Sequence, residues 1–317
     1  MAGSFLYLLL KQDGEFRVGI KDLRGEPDCK CAWGIVYPEA RALYRKVGVR
    51  LDDYVLARTR KAIVNGVEFK SQIVSFDRRR LLRDLWNEME FRELEGPDLI
   101  VDATGSDRAL LPKIRNDVKY ATIQFLERHK RHEQDEILYI HARRTGYAWA
   151  IPLGDGRWHV GAGEKNAERA SELLQAFRRR YGFNGGSRLC SCRAEVRLLP
   201  PSRCRPFTSG RVVGVGEAVG CVSGFGEGNA PSLKSADILH ECLRRNALGE
   251  YERRILEEFR WIEVEHRFIW EAQRGRRMLS PQLSLKVILI ESRRTIKPSF
   301  KGVVQWLAGR LGLISRQ

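Results

Sequence analysis

The chain has 317 residues, 43% of them hydrophobic and 30% charged. That length holds one large domain or two closely packed ones, and no apolar run reaches the roughly 20 residues a helix needs to span a bilayer. The net charge of +16 favours anionic partners. The arginine clusters, such as Arg78-Arg79-Arg80 and Arg178-Arg179-Arg180, accompany no nucleic-acid-binding motif, so nucleic acid is not an expected partner.

The N-terminal run Phe5 to Lys11 reads as a helix ended by Asp13-Gly14, and Phe16 to Asp22 alternates like a strand. A helix followed by a strand closing on an acid is the second half of a dinucleotide-binding unit. Gly3 stands where the third glycine of that fingerprint would, and Asp22 lies 19 residues after it, where an acid would hold a ribose. After Cys31-Ala-Trp33-Gly34 comes a polar stretch of helical character, then a strand over Glu68–Phe76 and an amphipathic helix capped by Asp77. Asp98 to Asp102 is an apolar strand running into the turn at Gly105, the form of a parallel strand whose C-terminal end meets a ligand.

Strands are expected over Val118–Phe125 and Glu136–Arg143, followed by the most informative segment, Tyr147-Ala-Trp149-Ala-Ile151-Pro152. Tyr147 and Trp149 alternate and so share one face of a strand, and Pro152 ends it. Leu153 to Arg157 turns the chain, and Trp158 to Gly163 returns. The result is a hairpin with an aromatic wall and backbone bared at Gly161 and Gly163, suited to a flat ring or an apolar chain. Asn166 caps a helix to Tyr181, and Glu195 to Pro201 is a short strand.

Gly210 to Gly216 is a strand entering a glycine-rich turn through Glu217, Gly220, Gly226, Gly228 and Asn229, and a helix follows to Leu243. Glycines before a helix start let backbone amides approach an anion closely. The chain beyond Leu248 is helical, with one helix over Glu250–Gln273. A basic amphipathic stretch over Ser299–Leu313 suits either packing on the protein or a membrane surface. The seven cysteines read as reduced thiols. The pairs Cys29/Cys31 and Cys190/Cys192 are poorly spaced for zinc, so no metal is expected. Phe5 to Leu10 lacks the flanks of a secretion signal, and a cytoplasmic location is expected.

Taken in order, the truncated dinucleotide unit, the Cys31 loop, the Tyr147–Gly163 hairpin and the Gly214–Asn229 turn resemble the geranylgeranyl reductase family of flavoproteins, from Gly3 to about Leu243. That family shares its fold with the aromatic hydroxylases of the para-hydroxybenzoate type. The hairpin matches its Tyr-x-Trp-x-Phe-Pro motif, with Ile151 replacing the phenylalanine, and the late turn resembles its Gly-Asp-Ala-Ala-Gly…Gly-Glu-Gly-Ile segment, with Glu217 for the aspartate and Gly224 for a proline. The resemblance implies an α/β (mixed α+β) fold: a Rossmann-like FAD-binding domain over 1–108 and 201–245, an antiparallel-sheet substrate domain over 109–200, and C-terminal helices over 246–317. It implies FAD as cofactor, held by Gly3, Asp22, Arg78, Asp102, Gly105, Gly216, Glu217, Gly220, Gly226, Gly228 and Asn229. Cys31 would lie beside the flavin as a catalytic residue, gating the site or donating there. Tyr147 and Trp149 would act at the reacting double bond, lining the substrate channel with Pro152, Gly161 and Gly163.

The implied reaction saturates C=C bonds of prenyl chains with hydride from the flavin, drawing on an electron donor such as NAD(P)H or ferredoxin and on peripheral contact with an anionic membrane. The first strand and first two glycines of the fingerprint are missing before Met1, which a late-assigned start codon would explain. The alternatives are a flavin monooxygenase or halogenase on the same fold and a flavin-free lipid-binding remnant.

Overall fold

The computed structural model describes residues 1–22, 33–130, 134–274 and 280–299. The first helix, α1 (Ala2–Asp13), is buried over the whole run Phe5 to Leu10. An all-round apolar helix must be enclosed on every side. It ends at Gly14 in the left-handed conformation, φ 69°, a common helix stop. The strand expected over 16–22 is not formed: Ile20 makes only isolated bridges to Phe91 and Arg92. The segment is pinned against residues 91–94 instead. Arg92 donates to the Val18 carbonyl, and a Cβ at Gly19 would lie 2.6 Å from the Arg92 oxygen.

Next come β1 (Gly34–Val36), α2 (Tyr37–Arg45), β2 (Val55–Arg58), β3 (Lys61–Val64), β4 (Val67–Ser71) and β5 (Ile73–Phe76). The single strand expected over 68–76 is two strands in two sheets. Gln72 divides them by turning its N–H to the Thr295 carbonyl, 2.8 Å, and its carbonyl to the Tyr37 N–H, 3.3 Å. β1, β5 and β2 form one small sheet, while β3 and β4 join a larger one. The β3–β4 connection is Asn65-Gly66 with φ 51° and 87°, a two-residue hairpin turn that needs positive φ at both positions. The polar stretch after Gly34 is α-helical at α2, followed by one 3-10 turn over Leu51–Tyr54. Helix α3 (Arg78–Asn87) starts at Asp77, whose side chain accepts from the Arg80 N–H as expected.

Strand β6 (Ile100–Asp102) pairs in parallel with β13 (Val212–Gly214), which is flanked by β12 (Thr208–Ser209). The large sheet runs in the order β11-β7-β10-β9-β8-β3-β4-β14, with β7 (Lys119–Arg128), β8 (Ile137–Ala142), β9 (Tyr147–Pro152), β10 (Arg157–Glu164), β11 (Ser187–Arg197) and β14 (Ile296–Pro298). Its pairings are antiparallel except β3–β8. The sheet thus draws strands from either side of the 109–200 segment, and the C-terminal region supplies one of them. The short strand expected from Glu195 begins eight residues earlier, at Ser187.

Alternation divides the sheet's faces. Ala148, Ala150, Trp158, Val160 and Ala162 meet Leu173, Leu174 and Phe177 of α4 (Ala167–Tyr181), which Asn166 caps. Trp149, Ile151 and Tyr147 lie on the other face, with Ala62, Leu138 and Ile73. Helices α5 (Asn229–Arg244), α6 (Tyr251–Glu258), α7 (Arg260–Gln273) and α8 (Pro281–Arg294) follow β13. The single helix expected over 250–273 breaks at Phe259, which leaves the helical region, ψ 24°, and is buried. Cys31, Cys29 and most of the basic stretch from Ser299 lie outside the described residues.

Candidate functional site

The parallel pair β6–β13 ends at Asp102 and Gly214, and the crevice beyond the carboxyl ends of parallel strands is where open α/β sheets bind ligands. Gly216 sits in that crevice at φ 67°. A Cβ there would lie 3.1 Å from Ser232 Oγ in the first turn of α5 and 3.4 Å from Ala2 Cβ in the first turn of α1. Two helix starts therefore converge on one glycine. The first α1 bond closes from the Phe5 N–H to the Met1 carbonyl, which leaves earlier amides outside the helix ladder. Such amides with the positive ends of two helix dipoles favour an anion. Gly3 faces away from the gap: its Cβ would be 2.9 Å from that of Ala103, the close helix–strand approach expected of a third fingerprint glycine.

The carboxylate positions have distinct environments. Asp102 is fully buried. Its oxygens accept from the Thr104 N–H and hydroxyl and from the Leu110 and Leu111 N–H groups. Burial pushes its pKa up, but these bonds outweigh it and hold the group below the usual range. Its lone pairs are thus committed to its own loop. Glu217 accepts from the Arg197 N–H, 2.6 Å, and burial raises its pKa above the usual value despite that bond. Arg197 is itself buried and forks onto both oxygens of Asp117 at 2.8 Å. It also donates to the Glu217 and Ser106 carbonyls. Gly105 faces Glu217 Oε2 at 3.8 Å. The extra methylene of Glu217 is absorbed by this fixed arginine, a residue that carries no sequence signal because its position depends on the β7–β11 pairing. Asp22 lies two residues past the Ile20 bridge, exposed.

The rest of the glycine turn is shaped by packing. A Cβ on Gly220 (φ 77°) would lie 2.7 Å from Cys204 Sγ and 3.0 Å from the Leu199 carbonyl oxygen, and one on Gly228 would lie 3.2 Å from Val222. A Cβ on Gly224 would lie 2.9 Å from the Glu265 backbone on α7, which leaves no room for a proline at this position. Glu265 holds the turn by accepting from Ser223 Oγ, 2.6 Å, and the Gly224 N–H, 3.0 Å. Burial and the neighbouring Glu291 carboxyl push its pKa well up. Arg78 donates to Asn229 Oδ1, and Asn229 donates to the Gly34 carbonyl, 2.9 Å, so α3, β1 and α5 are tied together at the turn.

The hairpin reaches this turn at Tyr147. A Cβ on Gly226 (φ 84°) would lie 2.6 Å from the Tyr147 hydroxyl. Burial, aided by Glu227, pushes that hydroxyl's pKa up to about 12. Glu227 is held at about 7 by burial, against the opposing pull of Arg294, whose Nη2 is 3.6 Å away. Glu227 also accepts from the Ala230 N–H, 3.0 Å, and so caps α5; the Gly-Glu-Gly spacing marked it, although only the glycines were singled out from the sequence. Trp149 packs beside Tyr147, ring centroids 5.4 Å apart.

Gly161 is not bared to a ligand as expected. It pairs with Trp149 across the hairpin, and a Cβ there would meet the indole at 2.5 Å, so the glycine makes room for the ring. Gly163 has only ordinary contacts, 3.5 Å to Thr122 and 3.9 Å to Trp149. Pro152 pairs with Trp158 at the far end of β9, about 16 Å along the strand from Tyr147. Trp149 Nε1 is buried without an acceptor, as is Trp158 Nε1 on the α4 face, so this feature alone does not mark a ligand. An open cleft of about 550 Å³ lies away from the crevice, near the end of α1, between Lys11, Arg50, Asp53 and Glu88. Its lining is of mixed charge and selects no ligand class.

No protein-family model matches the chain. It is 26% identical over 306 residues to the uncharacterized protein MJ1182 of Methanocaldococcus jannaschii, covering 79% of this chain and 82% of that one. Among solved structures it resembles a geranylgeranyl bacteriochlorophyll reductase-like protein of Thermoplasma acidophilum: TM-score 0.67, 17% identity, 97% and 93% of the two chains covered. The flavin-dependent halogenase CmlS gives TM-score 0.67 at 15% identity, covering 99% of this chain and 75% of the halogenase. HpxO of Klebsiella pneumoniae, solved with FAD, gives 0.60 at 17%, covering 90% of each chain. The chain therefore has the mixed α/β fold of FAD-dependent oxidoreductases, among them reductases and halogenases.

Proposed function

We propose that the chain is an FAD-dependent reductase that saturates C=C bonds of isoprenoid chains. The observation that carries the reading is the convergence of the α1 and α5 starts on Gly216, in one continuous turn with Gly226, where the Tyr147 hairpin abuts. The residues fit the cofactor. The amides around Gly3 and Gly216 would face its pyrophosphate, Glu217 its ribityl side, and the Gly224–Asn229 turn with Arg78 its ring. Reduced FAD supplies the hydride, recharged by a donor such as NAD(P)H or ferredoxin.

An isolated alkene develops no oxyanion, so the protein's contribution is positioning, water exclusion and a proton. The Tyr147 hydroxyl, kept protonated by burial, holds that proton at the turn, with the Glu227 carboxyl beyond Gly226 as its supply. Trp149 and Ile151, apolar and on the same face, line the path of the chain. The likeness to a reductase-like structure at 97% coverage of this chain supports the reading.

The test is anaerobic incubation of flavin-loaded protein with reductant and a geranylgeranyl lipid, read by mass spectrometry. A mass gain of two hydrogens per double bond is expected. Oxygen uptake with a hydroxylated or halogenated product would replace the reading with the monooxygenase class, and flavin-loaded protein that leaves the lipid unchanged would refute it.

A further inference from the structure

We propose that the outward face of α8 is a docking surface for an anionic phospholipid bilayer; this rests on the membrane-derived substrate of the reading above. Among the described residues, seven large hydrophobic side chains are exposed, and three of them sit on this one helix: Leu285 (56%), Ile288 (49%) and Leu289 (50%). Their spacing places them on one side of a helix. The other side of α8 carries Leu283 and Val287, both buried. A helix that already has a packed face has no internal use for a second apolar one, and a contiguous exposed apolar patch marks an interaction surface.

The charges around the patch specify the partner. Lys286, Arg293 and Lys297 are exposed beside it, and no exposed residue from Ser280 to Pro298 is acidic. Glu291, the one acid of α8, accepts from the Thr295 hydroxyl and lies against Glu265, on the inner side. An apolar strip whose own segment exposes cations and no acid is complementary to acyl chains beneath anionic headgroups, and the net charge of +16 has the same sign. None of the described helices is long and apolar enough to cross a membrane. The helix also joins this surface to the site. Arg294, at its end, reaches Glu227 at 3.6 Å and Glu39 at 3.2 Å, and Glu227 adjoins the Gly226 against which Tyr147 packs. A bilayer seated on α8 would lie about one helix diameter, roughly 10 Å, from the groups that would receive its prenyl chain.

The test is co-sedimentation of the full chain with phosphatidylcholine vesicles, with and without phosphatidylglycerol, with no turnover required. Binding is expected only with phosphatidylglycerol. The variant Leu285→Glu/Ile288→Glu/Leu289→Glu should melt as the wild type and partition about a hundredfold less, three half-exposed side chains being lost from the interface. Lys286→Gln/Arg293→Gln/Lys297→Gln should weaken binding about fivefold per charge and flatten its salt dependence. Wild-type-like partitioning of the first variant overturns the proposal. So does loss of binding confined to a Val303→Ser/Trp306→Ser/Leu307→Ser variant, which would assign the contact to the C-terminal stretch. A wild-type dimer that the first variant converts to monomer, without vesicle binding in either, would make the face a contact between copies. Vesicle binding without prenyl reduction would retain this proposal and remove the reductase reading; reduction of a detergent-dispersed lipid without vesicle binding would do the reverse.

Discussion

Replacing Gly161 with alanine should destabilise the protein chiefly through Trp149, with a lesser contact to Gln124 Cβ at 2.9 Å. The added Cβ would lie 2.5 and 2.8 Å from two atoms of the indole's six-membered ring, separations that real Cβ atoms do not adopt. The ring cannot swing aside, because it is buried beside Tyr147 and within the cluster of Ala62, Leu138 and Ile151. Overpacking of this kind costs about 2 kcal/mol. With an unfolding entropy of ~2.1 cal/mol/K per residue over 317 residues, that lowers Tm by roughly 3 °C. Trp149→Phe removes the obstructing ring at a cost of about 1–2 kcal/mol in lost contacts. In the double variant the alanine methyl enters the vacated space, so the two losses should fall short of additivity by at least about 1 kcal/mol. Thermal melts of the four proteins measure this. Additive losses would mean that the indole does not lie over Gly161, and the hairpin face would have to be redrawn.

The remaining predictions concern charge and capping. His159 and His266 are held near pKa 4 by burial. Unfolded histidine binds protons that the folded residue refuses between about pH 6.5 and 4, so their stabilisation is full above that window and is lost as pH falls through it. Glu227 acts in the opposite sense. Its folded pKa of about 7 exceeds the unfolded value, so the stabilisation it gives is full below about pH 4.5 and is lost as pH rises to about 7. Glu227→Gln keeps the acceptor for Ala230 and removes that slope. The acid limb of a stability-versus-pH curve should steepen by up to about 1.4 kcal/mol per pH unit, and an unchanged curve would refute the raised pKa. Arg197→Met leaves Asp117 without its fork and the Glu217 loop without a clamp, and should cost about 3 kcal/mol in denaturant melts. Asp77→Ala removes the α3 cap and should cost about 1 kcal/mol.

The features legible in the sequence were those set by local chemistry. Asp77 and Asn166 cap the helices they were assigned, and the Tyr147–Gly163 hairpin forms in the expected register because Pro152 and the Gly154–Gly156 turn fix its corner. The Asn65-Gly66 turn carries an equally local signal. Long-range choices were not legible. Gln72 splits a strand because its backbone bonds to Thr295, more than two hundred residues on. Phe16 to Asp22 alternates like a strand, yet among the described residues Ile20 makes isolated bridges to Phe91 and Arg92. At the site, Gly216 lies between the starts of α1 and α5, Gly3 packs on Ala103, and Glu217 and Asn229 are bonded to Arg197 and to Gly34 and Arg78. Asp102 turns its carboxylate into its own loop, and Gly161 serves an indole from the neighbouring strand. A glycine or an acid in a motif reports that a special position exists, while what occupies the space beside it is decided by the pairing of distant strands.

The central claim, that the turn at Gly216 closes a flavin site, is tested most directly by titrating the purified full chain with FAD while following the visible flavin bands, with Gly216→Val in parallel. The account predicts saturable binding by the wild type and its loss in the variant, whose Cβ would occupy the gap between Ala2 and Ser232, with far-ultraviolet circular dichroism unchanged. A wild-type chain that takes up no flavin, or a folded Gly216→Val variant that binds it equally well, would contradict the account.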